Sequence, residues 1–125
     1  MTVYDTNIMI DYLRGDESIA EAINSSRDEK GVSISAISCY ELLNGAHGDE
    51  FEAVESLFGR VNIYPMDLSS ARTAGELSKK LKKDGGELSI ADTLILAVAK
   101  ANDETFVTRD SGFAGTYDKL IILKK

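Results

Sequence analysis

The sequence predicts a three-layer α/β domain in which a parallel sheet lies between helices on both of its faces. Strand-like runs alternate with helical runs along the whole chain, which is the pattern of such a sheet. Residues 90–101 are apolar nearly all round, as in a helix that is buried. The 125 residues suit one domain with its own core, so we predict a single domain over residues 1–125.

The chain begins with a strand, a polar turn and a short helix. Apolar residues within 8–13, followed by Gly15, predict a helix that ends at the glycine. Three polar residues precede this helix: Asp5, Thr6 and Asn7. Ligands of open α/β sheets bind at the carboxyl ends of strands. Asp5 is therefore either a helix cap or the first member of a site.

A second helix and a second strand follow. The helix begins at Asp16, and we predict that it gives way to a polar loop over residues 25–31. Residues 32–35 alternate between apolar and polar side chains, which favours a strand. Either Ser35 or Ser38 can cap the helix that comes next.

The middle of the chain predicts a fourth helix and an edge strand. The helix carries an apolar stripe of Phe51, Val54, Leu57 and Phe58. We expect the exposed part of this face, near Phe51, Leu57 and Phe58, to support self-association. Residues 61–64 favour a strand, and the sole proline, Pro65, follows directly. Because proline tolerates strand ends and sheet edges, this strand is predicted to lie at an edge.

The last third of the chain predicts two helices and two strands. Asp67 caps a long helix with an apolar face of Leu68, Ala71, Ala74, Leu77 and Leu81. Lysines crowd its final turns, where they either suit the helix dipole alone or contact RNA. Ser89 caps the helix over 90–101, and strands follow at 105–108 and 120–123. Between these strands, Phe113 is expected to anchor the loop.

The composition excludes several classes of protein. A net charge of −7 argues against a passive nucleic-acid binder, which normally carries a basic face. The charge fits a cation-binding acid cluster or a basic protein partner, and it also fits solubility alone. One cysteine, Cys39, allows no internal disulfide, and one histidine, His47, allows no multi-histidine zinc site. Without a secretory signal or an apolar run of about 18 residues, we expect a cytoplasmic protein with no membrane span.

Four acids occupy positions that are unusual for surface acids: Asp5, Glu41, Asp92 and Asp110. Each has a structural explanation, because Glu41 can point outward, Asp92 suits a helix dipole and Asp110 can shape a turn. Taken together, Asp5 and Asp110 follow strand ends and Asp92 opens a helix, and in a parallel sheet these places can converge on one edge. Clustered carboxylates raise one another's pKa, and divalent cations relieve the repulsion.

An all-oxygen ligand set selects hard ions, Mg²⁺ or Mn²⁺, which typically act on phosphates. A pair of such ions about 3.5–4 Å apart can activate a water and stabilise the leaving oxygen of a phosphodiester. The sequence contains no phosphate-binding glycine loop with lysine, no nucleophile elbow and no recognisable Cys/His pair.

The segments around the four acids resemble the acidic motifs of PIN-domain ribonucleases, and most closely those of VapC toxins. The motifs are VYDTNIMIDYLRG (3–15), SCYELLNGA (38–46), SIADTLILA (89–97) and VTRDSGF (107–113). The resemblance implies a sheet of order 3-2-1-4-5 and Mg²⁺- or Mn²⁺-dependent endonucleolytic cleavage of RNA. It makes Asp5, Glu41, Asp92 and Asp110 the catalytic metal ligands. It gives supporting roles, direct or through water, to Thr6, Asn7 and Thr108.

The resemblance also implies partners. PIN-domain toxins commonly form homodimers, and a VapB antitoxin usually blocks the site with a basic C-terminal segment. Substrate phosphates would meet the metal, assisted by nearby cations. The candidate RNA contacts are Arg14, Arg109, Lys79 and Lys83.

Two other functions stay open at this point. A receiver-type signalling domain is also an acidic α/β protein that binds Mg²⁺ near strand ends. It requires a pair of adjacent acids after the first strand, whereas this chain has Asp5-Thr6-Asn7. A PIN fold that serves as an inactive binding module is the second alternative, although all four acids are present.

Overall fold

Five strands form one sheet in the computed structural model of the chain, which describes residues 1–29 and 31–125. The strands are β1 (Thr2–Tyr4), β2 (Val32–Ser35), β3 (Asn62–Tyr64), β4 (Thr105–Thr108) and β5 (Leu120–Ile122). Their order is β3-β2-β1-β4-β5, and every neighbouring pair is parallel. The predicted order is confirmed, and β3 lies at an edge, as Pro65 indicated. Both edge strands are one residue shorter than the predicted runs.

In the described part of the chain, six α-helices connect the strands: α1 (Thr6–Leu13), α2 (Glu17–Glu29), α3 (Ala36–Gly45), α4 (Glu50–Phe58), α5 (Leu68–Lys83) and α6 (Ile90–Ala101). Three helices begin at side-chain caps that the sequence predicted. Ser35, rather than Ser38, caps α3, and Asp67 and Ser89 cap α5 and α6. No helix in the described part of the chain is both long and apolar enough to cross a membrane.

The helices cover both faces of the sheet, so the three-layer architecture is confirmed. Apolar side chains from α1, α2, α3 and α4 pack with β1, β2 and β4 on one face. Helices α5 and α6 pack on the other face, together with Phe106 and Phe113. The rings of Phe106 and Phe113 meet edge to face, with centroids 5.2 Å apart. Phe113 is fully buried, which confirms it as the anchor of the loop after β4.

The predicted loop over residues 25–31 is wrong for its first half, because α2 continues to Glu29. The serines in this stretch do not stop the helix. The stop coincides with Gly31, which has a φ of +76° and bonds its N–H to the carbonyl of Ser26 at 2.8 Å. Glycine reaches this left-handed backbone region without steric cost. Lys30 lies outside the described residues.

Several apolar positions differ from the predicted helix faces. Leu57 is only 1% exposed, so the expectation that it lies on an exposed face is wrong, whereas Phe51 is exposed. Leu68 is exposed, and Ile90 is 82% exposed although it belongs to the helix predicted to be buried all round. Both residues begin their helices, and burial in α6 starts only at Thr93. Helical periodicity does not show where along its length a helix meets the sheet.

Candidate active site at the carboxyl edge of the sheet

Three polar side chains lie in a row at the carboxyl ends of β2, β1 and β4. Val3 pairs with Ser33 on one side of β1, and Tyr4 pairs with Val107 on the other. Continuing this parallel register places Asp5 between Ser35 and Thr108. The row therefore spans the middle of the sheet, where the order of the strands reverses and open α/β sheets bind ligands.

Asp5 is the centre of this row and is only 4% exposed. Its backbone has the extended conformation of an N-cap residue, so it begins α1. Its Oδ1 accepts a hydrogen bond from the amide of Thr6 at 2.8 Å, and its Oδ2 accepts one from the hydroxyl of Thr108 at 2.7 Å. The two explanations of Asp5, helix cap and site residue, are thus compatible in one conformation.

The hydroxyl of Thr108 links Asp5 to Asp110 and Asn7. It donates its single proton to Asp5 and accepts from the amide of Asp110 at 3.0 Å. It also accepts from Nδ2 of Asn7 at 3.3 Å. Since Thr108 is fully buried, this hydroxyl fixes the end of β4 relative to α1.

Asp110 is exposed and begins the short 3₁₀-helix Ser111–Phe113. Its Oδ1 accepts a hydrogen bond from the amide of Gly112 at 2.8 Å. A Cβ at Gly112 would lie 3.0 Å from the same Oδ1, so a larger residue would displace the carboxylate. Gly112 and the buried ring of Phe113 together set the position of Asp110.

Glu41 and Asp92 reach the site from helices. Glu41 lies on α3, and its Oε1 accepts a hydrogen bond from the hydroxyl of Thr6 at 2.6 Å. Asp92 lies in the first turn of α6, where its amide donates to the Oγ of the cap residue Ser89 at 3.1 Å. The first turn of a helix favours a negative charge because the helix dipole is positive there.

The four carboxylates act on one another electrostatically. Burial raises the pKa of Asp5 to about 6, and the charges of Asp92 and Glu41 add to the increase against two hydrogen bonds that lower it. Partial burial also raises the pKa of Asp92, and there the charges of Asp110 and Glu41 contribute. Asp92 thus interacts with all three other acids. The structure brings the four predicted acids to one edge of the sheet.

The donor set of this edge fits a hard divalent cation, because it consists of carboxylate and hydroxyl oxygens. Among the described residues, no group of three or more Asp, Glu, His or Cys side chains is arranged to hold a metal ion. This spacing does not exclude Mg²⁺, which keeps several waters and is usually bound through one or two carboxylates. The residues present therefore fit a water-rich site better than a closed protein cage.

The side chain of Arg109 forms ion pairs within the protein. Its side chain is only 8% exposed, and Nη1 donates to Asp11 at 2.8 Å and to Asp16 at 2.9 Å. The hydrogen bond from Arg109 is the main cause that lowers the pKa of Asp16 to about 2. The guanidinium charge is therefore balanced beside Asp110, and a contact with RNA stays a prediction.

The remaining candidate cations, Arg14, Lys79 and Lys83, are exposed. Arg14 is exposed and lines a cavity of about 360 Å³ together with Asn7 and Asp110. Lys79 and Lys83 are exposed on the last turns of α5. Lys82, the residue before Lys83, lines a cavity of about 580 Å³ together with Ile90 and Thr93. Asp92 lies between Ile90 and Thr93 in the sequence.

Sequence reasoning missed two groups of residues at this site. Asp11 and Asp16 balance Arg109, but nothing in their spacing distinguishes them from ordinary surface acids. Ser35 and Ser38 were considered only as helix caps, whereas both are fully buried next to Thr6. The signal that could have found Ser38 is its position three residues before Glu41, on the same face of α3.

The fold defines an α/β protein, and its acids form a carboxylate site at the carboxyl edge of the sheet, where the order of the strands reverses. Residues 2–119 match the PIN domain family. The chain is 30% identical over 112 residues to ribonuclease VapC19 of Mycobacterium tuberculosis, an alignment that covers 86% of this chain and 87% of that protein. The chain therefore belongs to the PIN domain family.

Solved structures show the same fold. VapBC2 from Rickettsia felis, bound to a promoter DNA fragment, matches with a TM-score of 0.84 at 22% identity and covers 99% of this chain and 98% of that chain. FitAcB from Neisseria gonorrhoeae matches with a TM-score of 0.79 at 27% identity and covers 98% of this chain and 97% of that chain.

The raised pKa of Asp5 predicts that Asp5→Asn stabilises the metal-free protein at high pH. The folded-state pKa of about 6 exceeds the usual 3.8, so the folded state loses stability as pH rises between these values. The neutral amide avoids this cost, which is up to about 3 kcal/mol for about two pKa units. The amide also has one accepting oxygen fewer than the carboxylate, and losing that hydrogen bond costs about 1 kcal/mol of stability. We expect a net gain of about 2 kcal/mol at pH 8 and none at pH 4.

Urea unfolding in EDTA at both pH values measures this difference. Asp118→Asn is the matched control, because Asp118 is exposed and precedes β5 at the opposite edge of the sheet. Asp118→Asn should change the free energy of unfolding little at either pH, because the side chain is exposed. If Asp5 served as a helix cap alone, asparagine would replace it at either pH without a pH-dependent difference.

Proposed function

We propose that the protein is a metal-dependent endoribonuclease and the toxin of a VapBC-type toxin–antitoxin pair that acts in the cytoplasm. The observation that carries the proposal is the set of hydrogen bonds that joins the acids at the carboxyl edge of the sheet. Thr6 bonds both Asp5 and Glu41, and Thr108 bonds Asp5 and the backbone amide of Asp110. Membership of the PIN domain family and the similarity to ribonuclease VapC19 support the choice of RNA as substrate. Retention of all four acids favours an enzyme over an inactive binding module.

Asp5, Glu41, Asp92 and Asp110 would hold Mg²⁺ or Mn²⁺, directly or through bound waters. The cation would supply an activated water and would stabilise the leaving oxygen of the phosphodiester. The rest of the site orients these acids. The hydroxyl of Thr108 fixes Asp5 and the backbone of Asp110, and Asn7 supports Thr108. The hydroxyl of Thr6 holds Glu41. Because these groups are neutral, they position the carboxylates without reducing the negative charge that attracts the cation.

Exposed cations are candidates to bind the RNA backbone. Arg14 lines the cavity that contains Asn7 and Asp110, and Lys79 and Lys83 lie on the lysine-rich end of α5. Arg109 contributes less to this binding, because two carboxylates already bind it.

Metal dependence is the first test of this function. RNA cleavage should require Mg²⁺ or Mn²⁺, stop in EDTA and leave 5′-phosphate and 3′-hydroxyl ends. Asp92→Asn should lower kcat by at least about 100-fold, because Asp92 interacts with all the other acids. Asp118→Asn, a matched change at an exposed acid away from the site, should retain full activity.

The chemistry of the product ends decides the mechanism. A 2′,3′-cyclic phosphate would contradict it, because that product results from attack by the ribose 2′-hydroxyl. Binding of Mn²⁺ without any cleavage of RNA would favour the inactive binding module instead.

A groove next to the site suits the antitoxin. Apolar residues of α1, α3 and α4 line a cavity of about 230 Å³. Ile10 and Arg14 line both this cavity and the polar one that contains Asn7 and Asp110. The two form one depression that is mainly apolar at one end and charged at the other, where Asp11 and Asp110 lie among basic side chains. A segment with apolar residues followed by a basic residue would fill the apolar end and pair with Asp110 at the charged end.

A charge placed in the groove should weaken the antitoxin without affecting catalysis. Ala53 is exposed on α4 and lines the apolar cavity, so Ala53→Glu should raise the antitoxin concentration needed for half inhibition by at least about tenfold. Ala71→Glu, at an exposed alanine of α5, is the matched control. Equal inhibition of both variants would place the antitoxin elsewhere, whereas loss of uninhibited cleavage in Ala53→Glu would show a defect in the enzyme itself.

Self-association is the remaining part of the proposal. Large apolar or aromatic side chains are exposed at Tyr40, Phe51, Leu68 and Ile90, which favours burial against a second copy. We expect sedimentation at micromolar concentration to show a homodimer. Phe51→Glu and Ile90→Glu lie on different helices, and the variant that sediments as a monomer locates the interface. A wild-type monomer would contradict the prediction.

A further inference from the structure

A chain of three buried hydroxyl groups ends at Glu41. Ser35 and Ser38 are fully buried, and Thr6 is nearly so. The Oγ of Ser38 lies 3.3 Å from the Oγ of Ser35 and 2.8 Å from the Oγ1 of Thr6. The Oγ1 of Thr6 then lies 2.6 Å from the Oε1 of Glu41.

The number of protons fixes the direction of these hydrogen bonds. A hydroxyl group has one proton to donate, and an ionised carboxylate can only accept. Thr6 therefore donates to Glu41, and the contact between Thr6 and Ser38 must be donated by Ser38. Ser35 donates to Ser38 and accepts from the backbone amide of Ser38 at 3.1 Å, as the cap of α3. All the bonds along the chain point toward the carboxylate.

We propose that Ser38 is a positioning residue for Glu41 that acts through Thr6, an inference that rests on the proposed function because it assigns Glu41 to the metal site. Ser38 precedes Glu41 by one helical turn, so both side chains face Thr6. By donating to Thr6, Ser38 leaves the Thr6 proton directed at Glu41. Successive hydrogen bonds in one direction polarise and strengthen each other.

Glu41 depends on this anchor more than Asp5 and Asp110 depend on any single one of theirs. Asp5 receives two hydrogen bonds and Asp110 is held by the turn that it caps. Within the described residues, Thr6 is the one donor to the carboxylate of Glu41. Glu41 is also on a longer side chain, so it loses more rotamer freedom when a cation binds. A fixed hydroxyl meets part of that cost before the cation arrives.

The test measures the Mn²⁺ affinity of RNA-free protein by calorimetry, together with the urea midpoint in EDTA. Ser38→Ala should weaken Mn²⁺ binding about tenfold, the lower end of the effect of losing a group that supports a metal ligand. Ser70→Ala is the matched control, because Ser70 is fully buried and its hydroxyl has no partner among the described residues. It should leave Mn²⁺ affinity unchanged even if it lowers the midpoint.

A double-mutant cycle separates positioning from packing. Thr6→Val removes the hydroxyl that links Ser38 to Glu41 while keeping the size of the side chain. In that background Ser38→Ala should weaken Mn²⁺ binding no further. Ser38→Thr, which retains a hydroxyl, should bind Mn²⁺ more tightly than Ser38→Ala, and Ser38→Cys gives the size-matched loss of a strong donor if Ser38→Ala does not fold.

The outcomes distinguish this inference from the proposed function. Unchanged Mn²⁺ affinity in Ser38→Ala, or an equal loss in the Thr6→Val background, overturns the role of Ser38 and leaves the nuclease intact. A wild-type protein that binds Mn²⁺ but cuts no RNA overturns the nuclease, while a loss of affinity in Ser38→Ala still supports the role of Ser38. A wild-type protein that binds no Mn²⁺ overturns both.

Discussion

The arrangement of this protein depends on keeping a buried carboxylate, Asp5, beside other acids at the end of the central strand. Asp5 is 4% exposed, and both its burial and its neighbours oppose ionisation. The free energy lost in this way has to be supplied by the rest of the fold. Two apolar cores, one on each face of the sheet, hold β1 and thereby hold the acid in place. The site thus contains an unfavourable buried charge that the packing of the surrounding scaffold compensates.

The hydroxyl groups that hydrogen-bond to the acids are neutral, which suits a site where the carboxylates lie together and keep their negative charge. Thr6 and Thr108 donate hydroxyl protons to carboxylates without cancelling the negative potential of the edge. A lysine or arginine in their place would stabilise the ionised acids and compete with any cation for them. Arg109 follows the same pattern, because its charge is balanced by ion pairs with Asp11 and Asp16.

The features that the sequence predicted correctly depend on local signals. Caps such as Asp67 and Ser89 act within one turn of their own helix, and Pro65 restricts its own strand whatever surrounds it. The features it missed depend on distant partners. Ser38 meets Thr6 across 32 residues of chain and Arg109 meets Asp11 across 98, and neither spacing carries a pattern. The four acids were identifiable because their positions are unusual for surface acids, and the family resemblance then assigned them to one site.

The four acids of the site contribute to the net charge of −7 and concentrate negative charge at one edge of the sheet. A polyanion such as RNA is repelled by the uncovered carboxylates. Under the proposed function, the bound cation therefore has to serve the binding of phosphate as well as the chemistry. Under the same proposal, the uncovered acids would also bind a basic segment of the antitoxin. The RNA substrate and the antitoxin would then compete for one surface, each by a different kind of contact. The substrate would reach the acids through the metal, whereas a basic inhibitor would pair with them directly.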